Sequence, residues 1–347
     1  MIANELLTPV SLGALRLENR VIMSPMTRMR ADADQAPPDY VGTYYAQRAT
    51  AGLIISESIA IRNYGDGWPN VPGLYTDTQL AAWRSVVNAV HARGGLIAAQ
   101  LWHVGRARLN PPGEERPKYW ALTDELHPHD LDAIDIVQIP LDFARAAQRA
   151  REIGFDAVEI HSGSSNLLDR FLRPSANLRV DHYGGDTSNR TRLTREIVAA
   201  VANAIGPDRV GIKFSPSAPV RGESDTASSV TFASLLADLS RIELAYVHVT
   251  RVTHDDRARG WGEGLSFEEI RDMYRGRLIG AGDFVPGDGR RAVESGVLDA
   301  VAFGRVFLAN PDLVRRIALD APLNAPDHST FYAPGPRGLT DYPTLET

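Results

Sequence analysis

The chain contains no cysteine. That single absence excludes disulfides, thiolate nucleophiles, cysteine-ligated zinc, iron–sulfur clusters and CxxC redox chemistry. A block of lysine or arginine is also missing. The 43 acidic and 37 basic residues are dispersed, with a formal net charge of −6, which speaks against nucleic acid as a partner. Apolar runs are short and interrupted by glycine or polar residues, so no membrane span is expected. The first residues, Met1 to Glu5, lack a basic region followed by an apolar stretch, so no signal peptide is expected and the cytoplasm is the expected compartment. What remains is the composition of a globular chain, 44% hydrophobic and 23% charged over 347 residues, long enough for a substantial core.

Along this chain, short runs rich in β-branched residues alternate with longer amphipathic stretches. The runs are Arg20–Met26, Gly52–Ser58, Gly95–Trp102, Phe155–His161, Arg209–Pro216, Ala245–Arg251, Arg277–Asp283 and Ala300–Arg305. Their near-continuous apolar character suits strands buried on both faces of a parallel sheet. Helices are predicted over Thr78–Arg93, Leu141–Ile153 and Ser188–Ile205, the first two stopped by glycine, the last opened by a Ser188 cap and closed by Gly206-Pro207. Eight strand–helix units in one chain predict an α/β fold, a (β/α)8 TIM barrel, as a single domain over residues 1–347. A doubly wound sheet is the structural rival, but no GxGxxG follows any strand. Leu6–Asn19 reads as an N-terminal β-hairpin turning at Gly13-Ala14. Val104–Gln138, rich in Pro, Arg, His and Asp, reads as a short capping insertion after the third barrel strand, over about 104–138.

Barrel active sites sit at the carboxyl ends of the strands. Here those ends carry Ser24-Pro25-Met26-Thr27-Arg28, Glu57-Ser58, Gln100-Leu101-Trp102-His103, His161-Ser162-Gly163, Lys213 with Ser215, His248 with Thr250, Gly282-Asp283 and Gly304-Arg305. The last two are placed where barrels hold a phosphate: glycine lets backbone N–H groups approach an anion, and Arg305 can grip it with its planar fork. The alternative is that these glycines only shape tight turns. Gln100 and Thr27 offer hydrogen bonds to a heterocycle, and Lys213 a cation for the edge of a flavin that turns negative on reduction. Otherwise Lys213 forms a strand-end salt bridge with Glu57 or Glu159.

These segments resemble the Old Yellow Enzyme family of flavoproteins. The resemblance is carried by Ser24-Pro25-Met26-Thr27-Arg28, Tyr44-Tyr45-Ala46-Gln47-Arg48-Ala49, Gln100 to Arg106, Asp156 to His161, Tyr183-Gly184-Gly185 with Asn189-Arg190, Ala302-Phe303-Gly304-Arg305, Ala309 to Leu313, Thr330-Phe331-Tyr332 and Asp341-Tyr342-Pro343, in family order. It implies a TIM barrel with noncovalent FMN, reduced by NADPH or NADH, which passes hydride to the β-carbon of an activated alkene, a small-molecule substrate. Carried over by position, Pro25, Met26, Thr27, Gly52, Gln100, Lys213, Gly282, Asp283, Gly304 and Arg305 would contact FMN. Trp102 and Tyr332 would line the substrate space, and His161 would hydrogen-bond the substrate carbonyl. A homodimer is the assembly the resemblance suggests.

The segment after the fourth barrel strand departs from the family. There a histidine is followed three residues later by Asn or His and then, two residues on, by Tyr; here the run is His161-Ser162-Gly163-Ser164-Ser165-Asn166. Ser164 stands for the second oxyanion donor, and a shorter donor costs up to about 10²–10³ in rate. Asn166 stands for the proton-donating Tyr, and loss of a general acid costs about 10²–10⁴. Lys213 replaces Arg, keeping the charge but not the fork. These changes predict a specialised-metabolism enzyme with an altered substrate. It would work by alkene reduction with a proton from elsewhere, such as Tyr332, or alternatively by oxidation, desaturation or redox-neutral isomerisation.

Two rivals stand beside this reading. His127-Pro128-His129-Asp130 has the HxH spacing of metal-dependent hydrolase barrels, yet it falls in a Pro-flanked loop away from any predicted strand end; no metal site is expected. A non-catalytic flavin-binding protein would have lost the site, whereas Thr27, Trp102, His161 and Tyr332 are kept. His254-Asp255-Asp256 reads as a solvated loop.

Overall fold

The computed structural model of the protein describes residues 4–63, 69–103, 131–164, 166–217, 227–258 and 264–345. In chain order it forms β1 (Val10–Leu12), β2 (Leu15–Leu17), β3 (Val21–Met23), α1 (Tyr40–Ala46), β4 (Leu53–Ala60), α2 (Asp77–His91), β5 (Ile97–Trp102), α3 (Ala133–Glu152), β6 (Ala157–Ser162), α4 (Leu167–Leu172), α5 (Thr187–Ile205), β7 (Val210–Phe214), α6 (Ser228–Leu239), β8 (Tyr246–Thr250), α7 (His254–Ala258), α8 (Phe267–Met273), β9 (Leu278–Ala281), α9 (Pro286–Glu294), β10 (Ala300–Phe303), α10 (Arg305–Ala309) and α11 (Leu313–Leu319). Strands β3 to β10 close into an eight-stranded parallel barrel in sequence order, with β10 pairing back onto β3. Every predicted strand run overlaps one of these strands, Leu53–Ala60 and Ala157–Ser162 running slightly past the predicted ends, and the fold is the expected (β/α)8 barrel.

The hairpin β1–β2 pairs Val10 with Leu17 and Leu12 with Leu15. Its alternate residues are buried, and they pack with Ile22, Leu53, Ile55, Ala98, Ala157, Ala245 and Ile279 in the lower barrel interior. The hairpin therefore plugs the amino end of the barrel. The Ala14 amide ties it to the Asp208 carbonyl at 2.9 Å. With one end stopped by apolar side chains, polar interior positions are left for the carboxyl end.

Three local expectations are corrected. Helix α5 opens at Asp186, whose side chain accepts from the Asn189 amide; Ser188 lies inside the first turn. Helix α3 begins at Ala133, capped by Asp132, and runs through Pro140. The predicted helix opened at Leu141, yet Ile136, Ile139, Phe143, Ala146, Ala147 and Ala150 are all buried on either side of Pro140. Tertiary packing of one continuous apolar stripe outweighs the local penalty. Residues 133–138 thus belong to α3 rather than to the capping insertion; residues 104–130 of that insertion, with His127 to Asp130, lie outside the described residues. No described helix is long and apolar enough to cross a membrane.

Candidate active site

A cavity of about 800 Å³ opens at the carboxyl ends of the barrel strands. Pro25, Met26, Thr27, Gln100, Trp102, His161, Ser164, Asn166, Lys213, Gly282, Asp283, Gly304, Arg305 and Tyr332 all line it. Gly52 does not. It precedes β4 at the opposite end of the barrel, where its amide donates to Val21 O and Asn19 Oδ1. A Cβ there would lie 2.0 Å from the Asn19 carbonyl oxygen. Close backbone approach, not a cofactor, accounts for this glycine.

Strand register sets the cavity floor in two polar levels. Ser58, Gln100 and Glu159 are paired across β4, β5 and β6. His161, Lys213 and His248 are paired across β6, β7 and β8. Two residues along β6 return to the same face, so Glu159 and His161 share the interior. In the lower level, Ser58 Oγ donates to Gln100 Oε1 at 2.5 Å and Gln100 Nε2 donates to Glu159 Oε1 at 2.7 Å. His248 Nδ1 donates to Glu159 Oε2 at 2.8 Å. Burial pushes the Glu159 carboxyl up, but His248, Lys213 and Gln100 together hold it below the usual range. Burial lowers Lys213, and Glu159 works against that.

Ser58 was not singled out as a cofactor or catalytic residue, and the reason is a β-bulge. Continuing the alternation of inward Leu53 and Ile55 would turn Glu57 inward. The register shifts between Ile55 and Ser58, so Ser58 faces Gln100 instead. Glu57 then points away from the interior: its Oε2 accepts from the Arg28 amide at 3.1 Å, and its own amide donates to Tyr45 Oη. Burial pushes Glu57 up to about 7. Glu57 is therefore not the partner of Lys213; Glu159 is the carboxylate that acts on it.

In the upper level His161 is joined by Asn166. Burial, followed by the Lys213 charge, lowers His161 to about 3, so the ring is neutral at working pH. Asn166 Nδ2 lies 3.1 Å from His161 Nε2. The Trp102 ring lies 6.3 Å from the imidazole, centroid to centroid. Ser164 is exposed, with φ at 59°. Helix α4 is anchored by a fully buried pair, Asp169 with Arg173, whose guanidinium also donates to the Ser215 and Pro216 carbonyls.

The opposite wall comes from the C-terminal segment, 300 or more residues from Arg30 in sequence. Arg30 donates to the carbonyls of Thr330, Phe331, Gly335 and Arg337. Buried Arg48 donates to those of Tyr44, Phe307, Leu308 and Leu339. Phe331 and Tyr332 are thereby set over the mouth, with the Arg28 guanidinium 5.9 Å and 5.7 Å from their ring centroids.

At the rim, Gly282 has φ 115°, a conformation glycine takes without strain. Arg305 donates to Asp255 at 2.9 Å and is ion-paired with Asp283. Asp283 Oδ2 accepts from the His254 amide. Residues 254–256 face solvent as expected, but they form the start of helix α7 rather than a loop and are tied to the rim.

These residues fit a flavin mononucleotide. No described residue accepts a hydrogen bond from the Lys213 ammonium, which lines the cavity beside Gln100. Glycine-lined backbone and Arg305 stand at the end suited to a phosphate. The Asp283 and Asp255 carboxylates, both paired with Arg305, oppose an anion there.

A family model, NADH:flavin oxidoreductase / NADH oxidase, matches residues 5–324. The chain belongs to that family. It is 37% identical over 364 residues to 12-oxophytodienoate reductase 2 of Arabidopsis thaliana, covering 99% of this chain and 96% of the relative. Among solved structures, morphinone reductase in complex with tetrahydroNAD superposes with a TM-score of 0.86 at 41% identity, covering 98% of each chain. The Old Yellow Enzyme homologue from Zymomonas mobilis superposes with a TM-score of 0.90 at 36% identity, covering 98% of this chain and 99% of that one. This Old Yellow Enzyme relative is an FMN-dependent oxidoreductase, as the sequence resemblance implied.

Proposed function

We propose that this protein reduces the C=C bond of an alkene conjugated to a carbonyl or similar oxygen-bearing group, using NADPH or NADH. The observation that carries the reading is the convergence on one cavity of Lys213, Gln100 and the Gly304–Arg305 rim with His161, Trp102 and Tyr332. Bound FMN supplies hydride at the alkene. The chain's own part is to hold and polarise. Gln100 and Lys213 hold the flavin's pyrimidine edge, and Lys213 offsets its negative charge on reduction. Thr27 and Met26 lie along the same cavity. Gly282, Gly304 and Arg305, with the backbone of Asp283, receive the phosphate. Trp102 and Tyr332 bound the substrate space, and neutral His161 hydrogen-bonds the oxygen on which charge gathers.

Proton delivery to the α-carbon falls to another group, because an Asn166 amide is no acid. Tyr332, at the mouth, is the candidate. The same lack supports a second reading, in which a biosynthetic intermediate of specialised metabolism is oxidised, desaturated or isomerised without net redox change. We place the protein in the cytoplasm as a homodimer, to be checked by fractionation and by scattering in solution. The test of function is steady-state turnover of the purified, FMN-loaded protein with 2-cyclohexen-1-one and each nicotinamide, with product analysis. One nicotinamide oxidised per cyclohexanone formed supports reduction, and a lowered rate in Tyr332→Phe supports its role as acid. No nicotinamide oxidation and no saturated product would sink the first reading.

A further inference from the structure

Asn166 occupies a position where its side chain is expected to cap a helix, and it does not. It is the N-cap of α4, with extended backbone (φ −71°, ψ 173°), yet makes no side-chain cap hydrogen bond. Asparagine in that setting ordinarily accepts from an amide of the first turn. Instead the amide turns back to the barrel. Nδ2 donates to the Gly163 carbonyl at 2.9 Å and lies 3.1 Å from His161 Nε2. The Gly163 carbonyl fixes the amide's orientation, because half a turn would set Oδ1 against another acceptor. A donor nitrogen is therefore held beside the imidazole, and both side chains line the cavity.

His161 is neutral and carries one ring proton. With no acceptor between the two side chains, Nδ2 donates to Nε2, which leaves the proton on Nδ1. That atom is buried and has no hydrogen-bond partner among the described residues, an unfavourable place for a donor. An oxygen seated beside the pair, within reach of both nitrogens, reverses this. The ring proton is better placed on Nε2, and both nitrogens then donate to one acceptor, each at an ordinary length of about 2.9 Å. Ser164, the residue at the family's second donor position, is exposed and in the left-handed region.

We propose that Asn166, not Ser164, is the second donor of the site: His161 Nε2 and Asn166 Nδ2 together grip the substrate oxygen that gains charge as the alkene is reduced. This rests on the alkene-reductase reading. It turns Asn166 from the remnant of a lost proton donor into a catalytic residue. The pair is drawn from positions five apart across the strand–helix junction.

The test is titration of the FMN-loaded protein with 4-nitrophenol, whose oxygen becomes an anion of the same shape as the enolate's. Binding is followed by absorption, and His161 by ¹⁵N NMR. In the wild type, the phenol binds and moves the His161 ring proton from Nδ1 to Nε2. Asn166→Ala weakens binding about tenfold to a hundredfold, the loss of one hydrogen bond to a charged acceptor. It also raises the pH at which the bound phenol ionises. Asn166→Asp, equal in size but offering oxygens, weakens binding at least as much and serves if the alanine variant does not load FMN. Binding by both variants within twofold of wild type, or a loss carried by Ser164→Ala instead, overturns the assignment while leaving the function reading intact. Failure of the FMN-loaded wild type to bind the phenol at all overturns the oxyanion site itself, and the Asn166 assignment with it.

Discussion

Arg305 is ion-paired with Asp283 at the rim of the cavity, and Asp255 takes its other terminal nitrogen at 2.9 Å. A guanidinium suited to a phosphate is thus already shared between two carboxylates. A phosphate arriving at this rim competes with them and meets their charge. Asp283→Ala is therefore expected to tighten FMN binding, by about threefold to tenfold at low salt given the exposure of these side chains. The gain should shrink as salt is added. Quenching of FMN fluorescence by the apoprotein measures it. Unchanged or weaker binding in the variant would show that the carboxylate positions Arg305 rather than opposing the phosphate.

The buried Glu159 carboxylate and the Lys213 ammonium act on the same edge of the cavity with opposite sign. Glu159→Gln should raise the midpoint potential of bound FMN, and Lys213→Met should lower it. Each shift is expected to be about 20–60 mV, since 30 mV corresponds to about 1.4 kcal/mol for a two-electron couple. Equilibration against a redox dye reads both. Shifts of the same sign in the two variants would refute the arrangement.

Glu57 gives the fold a pH dependence of its own. Burial raises its folded-state pKa to about 7, against about 4.3 in an unfolded chain. Between those values the unfolded state alone releases the proton, so stability falls as pH rises and levels off above about 7. The loss amounts to at most about 4 kcal/mol. Glu57→Gln, which can still accept from the Arg28 amide, should lose less between pH 5 and pH 8. Urea midpoints at the two pH values decide the matter, and equal losses in both proteins would count against it.

Gly52 separates a structural glycine from a cofactor contact. A Cβ there meets the Asn19 carbonyl, so Gly52→Ala should destabilise by about 1–3 kcal/mol. Below its unfolding transition, the variant should hold FMN as the wild type does. A variant of normal stability with weakened FMN binding would restore the cofactor role.

Much of this was legible in the sequence, for physical reasons that can be named. Strands buried on both faces must be apolar throughout, so all eight barrel strands showed as runs, and their ends named the cavity. Legibility failed where tertiary contacts overrule local signals. The predicted helix began at Leu141, but the buried stripe from Ile136 to Ala150 carries α3 through Pro140 back to Ala133. The bulge before Ser58 leaves no trace in composition, so the exchange of Ser58 and Glu57 was invisible. Asp255 is an ordinary loop acid until the fold sets it against Arg305. Asn166 read as a missing phenol, because no sequence pattern reports that a side chain has declined to cap its helix.

The fastening of the C-terminal wall has a consequence for how such a site can change. Arg30 and Arg48 grip main-chain carbonyls in and around this segment, and a carbonyl is the same whatever side chain follows it. The clasp is indifferent to the identity of residues 331 and 332, which line the cavity. New side chains can be tried there while the segment stays in place. The barrel thus separates what anchors the wall from what the wall selects, and substrate preference can drift without the fold having to follow.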